Sequence, residues 1–436
     1  MSVSRENEDD IGQDLPHIIS VDDHVVEPPD LFLNALPSQF RDRAPHVESR
    51  FGRLVFEGER YRGFAADHDH PDSRWGDYWI YDDLVWPMTA GYAAIGEIRK
   101  LEAMTPVTYE EIDPGCYKQF ERLERMDQNG VEASLCFPTM PRFCGQHFLE
   151  AKDKTFALSC LRAYNDWTLE VWCAGKASGR LVPVTLIPLW DPDLAAREVI
   201  RCAKKGSRAI SFSECPPALN LPSIHSGHWD PVFRACASCD LVVNMHIGTA
   251  SRLPSTGGDS PPMVTIALTF QNSQTAAVDW LSSGILQRFP ELRIAFSEGQ
   301  VGWLPFILDR LDSVWHRHEL YEHDLRDRVP RLPSSYVEDR VFGCIFDDVV
   351  GLKNRDLIGV GQIMFEVDYP HADSTFPHSV AAARRLFDEA ELAPDEVWAV
   401  IRGNAIRCYG LETQVNRANG KRTSTLGTGN SAQELA

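Results

Sequence analysis

Between residues 17 and 367 the chain alternates short, almost continuous apolar runs with longer stretches in which apolar residues recur every three to four positions. The apolar runs are His17 to Val25, Val131 to Pro138, Leu181 to Leu189, Arg208 to Ser213, Leu241 to Ile247, Leu292 to Ser297, Val341 to Phe346 and Ile363 to Val367. Runs of this kind suit strands buried on both faces of a parallel sheet. Helical patterns fall between them. One carries Tyr117, Phe120, Leu123 and Met126 before Gly130; others cover 153–174, Asp191 to Lys204, Trp229 to Ser238, Val301 to His318 and Ser379 to Glu389. Asp191-Pro192 supplies an N-cap followed by proline at the first helical position. Eight strand-then-helix units predict an α/β fold, a closed (β/α)8 TIM barrel, with an open doubly wound sheet as the alternative.

The stretch from about 28 to 114 breaks the alternation. It holds Pro-rich links, a hairpin-like segment from Phe51 to Gly58 and an aromatic-rich loop from Arg74 to Trp86. It is expected to be a long insertion after the first strand, lying over the C-terminal mouth of the barrel. The barrel then spans 15–412, and the polar ends, 1–14 and 413–436, are expected to be disordered.

Composition narrows the partners. The chain is 43% hydrophobic and 24% charged, as in ordinary globular proteins. Its net charge of −20 argues against nucleic acid and against an anionic membrane surface. No run of 18 apolar residues is present, and Met1 to Asp14 lacks an apolar signal core. Of the 11 cysteines, Cys136, Cys144, Cys160, Cys202 and Cys344 lie in or near apolar stretches and read as buried free thiols. A cytoplasmic location is the expectation.

Four strand ends carry ligand-type side chains. The first ends in Asp22 and His24, two residues apart and therefore on one face of a strand. The fifth ends in His246, the sixth in Glu298 and the eighth in Asp368. Residues at the C-terminal ends of barrel strands converge on one mouth, and a mixed imidazole and carboxylate set suits Zn²⁺, Mn²⁺ or Fe²⁺ better than Ca²⁺. Each residue also has a plainer reading: Asp22 as a loop cap, His246 as a core histidine bonded to backbone, Glu298 as the partner of an arginine such as Arg310, Asp368 as a turn residue. Glu27 and His147 are candidates for substrate contact, and His371 for catalysis or support of the site. His68, His70 and Asp72 read as a solvated loop.

The order and spacing of several motifs resemble the amidohydrolase-related family, in the branch that includes aminocarboxymuconate-semialdehyde and γ-resorcylate decarboxylases. They are ISVDDHVVEP (19–28), AYNDW (163–167), LIPLWDP (186–192), VVNMHIG (242–248), FPELRIAFSEGQVGWLPFILDRLD (289–312), FEVDYPHADSTFP (365–377) and IRGNAIRCYGL (401–411). The resemblance implies one divalent metal, Zn²⁺ or Mn²⁺ with Mg²⁺ as a third choice, held by Asp22, His24, His246 and Asp368. It implies a decarboxylase acting on a small aromatic or unsaturated carboxylic acid, with a hydrolase of an amide, ester or C–C bond as the alternative, and a homodimer as the assembly. Two positions depart from the family: the first ligand is Asp22, where many relatives have His or Glu, and the sixth-strand position differs as well. The sixth strand of the characterised decarboxylases usually carries histidine, and this chain carries Glu298, so acid–base duty is expected to fall on Glu298, Asp368 or His371.

Overall fold

Each of the eight apolar runs forms a strand in the computed structural model, which describes residues 15–57, 60–93, 102–320 and 322–411. In chain order the strands are β1 (Ile18–Val25), β2 (His46–Glu57), β3 (Arg60–Ala65), β4 (Arg74–Tyr81), β5 (Leu84–Pro87), β6 (Val131–Pro138), β7 (Leu181–Thr185), β8 (Ala209–Phe212), β9 (Val242–His246), β10 (Ile294–Ser297), β11 (Val341–Ile345) and β12 (Ile363–Phe365). β1 and β6 to β12 make one parallel sheet in sequence order. Its two edges meet: Asp368 N donates to Asp22 O at 2.8 Å, and His24 N donates to Tyr369 O at 2.7 Å. The result is a (β/α)8 TIM barrel, nearly closed. The expected disordered ends, 1–14 and 413–436, lie outside the described residues.

The barrel interior is filled from every side. Val21, Leu135, Val184, Ala295, Cys344 and Met364 belong to one buried cluster, which Tyr409 and Leu411 join from the end of the chain. A larger apolar layer, including Trp229 and Trp280, packs between the sheet and the surrounding helices. Such two-sided burial explains why these strands lack polar alternation.

Several boundaries differ from the sequence pattern. β7 stops at Thr185 instead of reaching Leu189. The amide of Asn165 takes over there: its Oδ1 accepts from Leu186 N at 2.8 Å and its Nδ2 donates to Leu186 O at 2.9 Å, so that residue leaves the ladder. The helix expected over 153–174 is α-helical over Lys154–Trp167 and widens into a π-turn over Thr168–Trp172. The helix expected from Val301 starts at Leu304, with Pro305 in the first turn where no N–H is needed.

Between β1 and β6 lies a four-stranded antiparallel sheet in the order β3-β2-β4-β5. The aromatic segment read as a loop is mostly β4 and β5, a hairpin turning at Asp82 and Asp83. Past this sheet, Gly91 O accepts from Ala372 N at 3.0 Å, which fastens the segment to the residues that follow β12. Among the described residues no helix is long and apolar enough to cross a membrane.

Candidate metal centre

The end of β1 does not keep a regular alternation. Its register against β6 shifts between Ser20 and Asp23. The irregularity lets Val21 join the inner apolar cluster while Asp22 and His24 reach the mouth. Asp23 turns away from them. Its carboxylate accepts from Ser20 Oγ at 3.0 Å and Tyr369 N at 3.0 Å, and also from Ser134 Oγ. Behind the strand, the fully buried Arg122 donates to His24 O at 2.5 Å and to Gly115 O at 2.8 Å. The backbone that carries His24 is thus held from two sides.

The other strand ends bring their side chains to the same place. β9 and β10 pair with His246 opposite Ser297, which sets Glu298 beside His246. Glu298 has φ 57° and Asp368 has φ 63°, left-handed values uncommon for residues with a side chain. Such backbone costs of order 1–3 kcal/mol and persists where neighbours hold it. At Glu298 the neighbour is Glu366, whose Oε2 accepts Glu298 N at 3.2 Å. Asp368 is held through its own N–H on Asp22 O.

All four expected metal ligands meet at His24 Nε2. It lies 3.1 Å from His246 Nε2, 3.3 Å from Asp368 Oδ1 and 3.6 Å from Asp22 Oδ1. His246 Nε2 is 3.3 Å from Asp22 Oδ2 and 3.8 Å from Glu298 Oε2. His371 Nδ1 lies 2.9 Å from Asp368 Oδ1 and 3.5 Å from Glu298 Oε1, and its ring stacks on His24 at 3.8 Å. Two overlapping groups result, each with ligand atoms within 4.8 Å of one another: Asp22, His24, His246 and Glu298, and His24, Glu298, Asp368 and His371. Glu298 thus joins the cluster as one of the strand-end candidates, and Asp368 lies beside both His24 and His371.

The electrostatics of this cluster call for a cation. Burial, then the charges of Glu366, Glu298 and Asp368, hold Asp22 well above the ordinary carboxylate range. Burial and Glu298 do the same to Asp368. Burial also lowers His24 and His246, which favours neutral rings that offer lone pairs. His246 Nδ1–H is used by Ile247 O at 2.6 Å, which leaves the lone pair of Nε2 free for a metal. Both oxygens of Asp22 are buried without a hydrogen bond. Two ligands each about 2.1 Å from one ion lie about 3.0–3.4 Å apart at angles near those of tetrahedral or octahedral sites. The spacings of 3.1, 3.3 and 3.3 Å among His24, His246, Asp368 and Asp22 fall in that range, those of 3.6 and 3.8 Å lie beyond it, and the donor set fits one divalent ion. Glu298 behaves differently from Asp22. Burial would raise it, but His246 and the hydrogen-bonded His371 bring it down to about 2. Burial opposes His371, yet its bond to Glu298 leaves it raised.

Two sequence candidates sit in the wall instead of the cluster. Glu27 is buried and accepts Thr139 N at 3.0 Å and Met140 N at 2.7 Å. His147 is buried, with Nδ1 on Met140 O at 2.6 Å. Both brace the turn after β6, and that turn carries Phe143, whose ring lies 4.2 Å from His246 and 5.0 Å from His24. His68 stacks on Phe51, away from the cluster, while His70 Nδ1 lies 3.6 Å from Asp72, so this run gathers no metal-type group. The sequence reading passed over Glu366 and Phe143. Glu366 had a signal, its two-residue spacing from Asp368; Phe143 had none, because its position depends on where the turn after β6 folds back.

The sequence profile of the amidohydrolase family matches residues 79–411, and the chain belongs to that family. Two curated relatives are decarboxylases. The chain is 23% identical over 313 residues to 2-amino-3-carboxymuconate-6-semialdehyde decarboxylase of Dictyostelium discoideum, covering 70% of this chain and 80% of that protein. It is 24% identical over 318 residues to γ-resorcylate decarboxylase of a Rhizobium species, covering 67% and 88%. The fold is shared with dihydroxybenzoic acid decarboxylase of a Polaromonas species, solved with manganese and 2-nitroresorcinol, at a TM-score of 0.57, 18% identity, and coverage of 91% of this chain and 98% of that one.

Proposed function

We propose that this protein is a metal-dependent carboxy-lyase that removes CO₂ from a small aromatic carboxylic acid. The observation that carries the reading is an imidazole at the edge of a buried ligand cluster, with His371 Nδ1 2.9 Å from Asp368 and 3.5 Å from Glu298. The activities named for the two relatives support the same chemistry. Asp22, His24, His246 and Asp368 would hold the ion, with Glu298 in reach, and manganese is favoured by its presence in the Polaromonas neighbour. When bound, the ion supplies Lewis-acid attraction for the oxygens of the acid and orients it.

The chain's own residues do the rest. Phe143 and Tyr92 border the imidazoles with flat apolar surface, which suits a planar ring and keeps water out. His371 donates its proton to the ring carbon that bears the carboxylate. The bond to the carboxylate then breaks, its electron pair restores the ring, and CO₂ leaves. Glu298 stabilises the imidazolium beforehand, and His371 recovers a proton from solvent. One proton enters and one CO₂ departs in each turnover. Within this reading Glu27 and His147 shape the substrate wall from behind, and the working form is a homodimer, checked by a light-scattering mass twice the 49.1 kDa chain.

The test incubates manganese-loaded protein in D₂O with a panel of hydroxylated benzoic acids. CO₂ release with one deuteron on the vacated ring carbon is expected. Hydrolysis of amide or ester substrates with no CO₂ from any acid would overturn the assignment.

A further inference from the structure

Residues 298–302 turn sharply after β10. Glu298 and Gln300 both have left-handed backbone, at φ 57° and 52°, and between them Gly299 sits against Ser273, where an added Cβ would overlap the hydroxyl. Residues with side chains hold that conformation only under restraint. The turn is clamped at three places. Trp303 Nε1 donates to Gly299 O at 2.7 Å. Val301 N and Gly302 N donate to Asp348 Oδ2 at 2.7 and 2.5 Å. Those two clamps lie past Glu298. The third reaches it, because Glu298 N donates to Glu366 Oε2 at 3.2 Å.

Glu366 is firmly mounted. Its own N–H donates to Ile345 O of β11 at 3.0 Å, and the next residue, Val367, donates its N–H to Ser20 Oγ of β1 at 2.9 Å. The side chain is fully buried, and its Oε1 has no hydrogen bond. A carboxyl buried in this way costs free energy that an apolar residue of the same length would not. What it supplies is an acceptor for the N–H of a strained residue. With that N–H fixed, the Glu298 carboxylate lies 3.8 Å from His246 Nε2 and 3.5 Å from His371 Nδ1. A return of φ to the common negative range would swing Cβ round and carry the carboxylate off both imidazoles.

We propose that Glu366 is a positioning residue for the proton step: by accepting the Glu298 N–H it keeps that backbone left-handed and its carboxylate on His371, without touching substrate itself. The kinetic consequence rests on the carboxy-lyase reading, and the geometry rests on the turn after β10. The strand-six carboxylate and its support, two residues before Asp368, then act as one unit.

The experiment compares Glu366→Met, which keeps the length but removes the oxygen acceptor, with Glu366→Gln, which keeps one. Crystal structures and CO₂ release are obtained for the manganese-loaded proteins, with metal content measured alongside. In Glu366→Met, Glu298 is expected to leave the left-handed region and lose its contact with His371. Its kcat should fall about 10–100-fold, with KM changed less than about threefold. Glu366→Gln should restore the contact and most of kcat. In a Glu298→Gln background, Glu366→Met should add less than about a threefold further loss, because both changes act through one carboxylate. A left-handed Glu298 still on His371 in Glu366→Met overturns the proposal. So does a Glu366→Gln as impaired as Glu366→Met, or losses that multiply in the double variant. Should Glu366→Met not fold, Glu366→Ala takes its place with the same outcomes. If the wild type releases CO₂ from no acid, the carboxy-lyase reading fails, and the structures of the two variants alone decide whether Glu366 places Glu298.

Discussion

His24 and His246, 222 residues apart in sequence, point their Nε2 atoms at one another across 3.1 Å. Burial favours the neutral form of both rings, and His246 Nδ1–H is committed to a backbone carbonyl. Lone pairs held that close are arranged for a cation. His246→Ala and Asp368→Asn are therefore expected to lose bound metal and to lower activity by at least about a hundredfold, with the far-ultraviolet circular dichroism unchanged. Elemental analysis of the purified variants checks this; wild-type metal content together with full turnover would contradict the cluster's role.

Glu298 and His371 are expected to govern the proton step. Glu298→Gln removes the charge that raises His371. His371→Phe keeps a ring to stack on His24 but carries no proton. Each should reduce kcat by about 10²–10⁴-fold, with a smaller change in KM. Steady-state CO₂ release measures it, and a wild-type kcat in both variants would move the proton donor elsewhere.

Asn165 stands in for a missing strand partner. It satisfies both backbone groups of Leu186 and donates to Glu198 Oε1 at 2.9 Å, all within the core. Asn165→Ala would leave the two backbone groups of Leu186 unpaired, at a cost of about 2–4 kcal/mol. Urea denaturation should show the midpoint falling accordingly; a loss below about 0.5 kcal/mol would mean that water or a shift in the chain replaces the amide.

Glu214 makes a prediction in pH. Burial raises its carboxyl to about 8, against hydrogen bonds from Thr249 and Asn272 that lower it. The folded chain then holds a proton there that the unfolded chain has released above its ordinary carboxyl range. Stability should fall as pH rises from about 4.5 to about 8, and flatten beyond, by up to a few kcal/mol. Glu214→Gln cannot ionise and should lack this slope, so its stability relative to wild type should grow between pH 5 and pH 8. A constant difference across that range would show that Glu214 ionises normally.

Much of the barrel could be read along the chain. Each strand is a local run, and burial on both faces makes that run apolar wherever its neighbours happen to lie. The helical patterns between runs were equally legible apart from their ends, and the end of β7 was decided by a single contact, Asn165 on Leu186. The hairpin of β4 and β5 was hidden because its aromatic residues pack on partners far away in sequence.

The candidate ligands were visible one strand at a time, through the spacing of Asp22 and His24 and the position of His246, Glu298 and Asp368 at the ends of apolar runs. Which of them touch was settled by closure of the barrel. Sheet register put His246 beside Glu298, the shift in β1 aimed Asp22 and His24 inward, and left-handed backbone at Glu298 and Asp368 turned two carboxylates toward the same imidazoles. The stack of His371 on His24 and the seat of Phe143 arose in the same way. Periodicity is a property of neighbours in the chain, whereas convergence depends on the relative height and rotation of strands, and those are set only when all eight pack together.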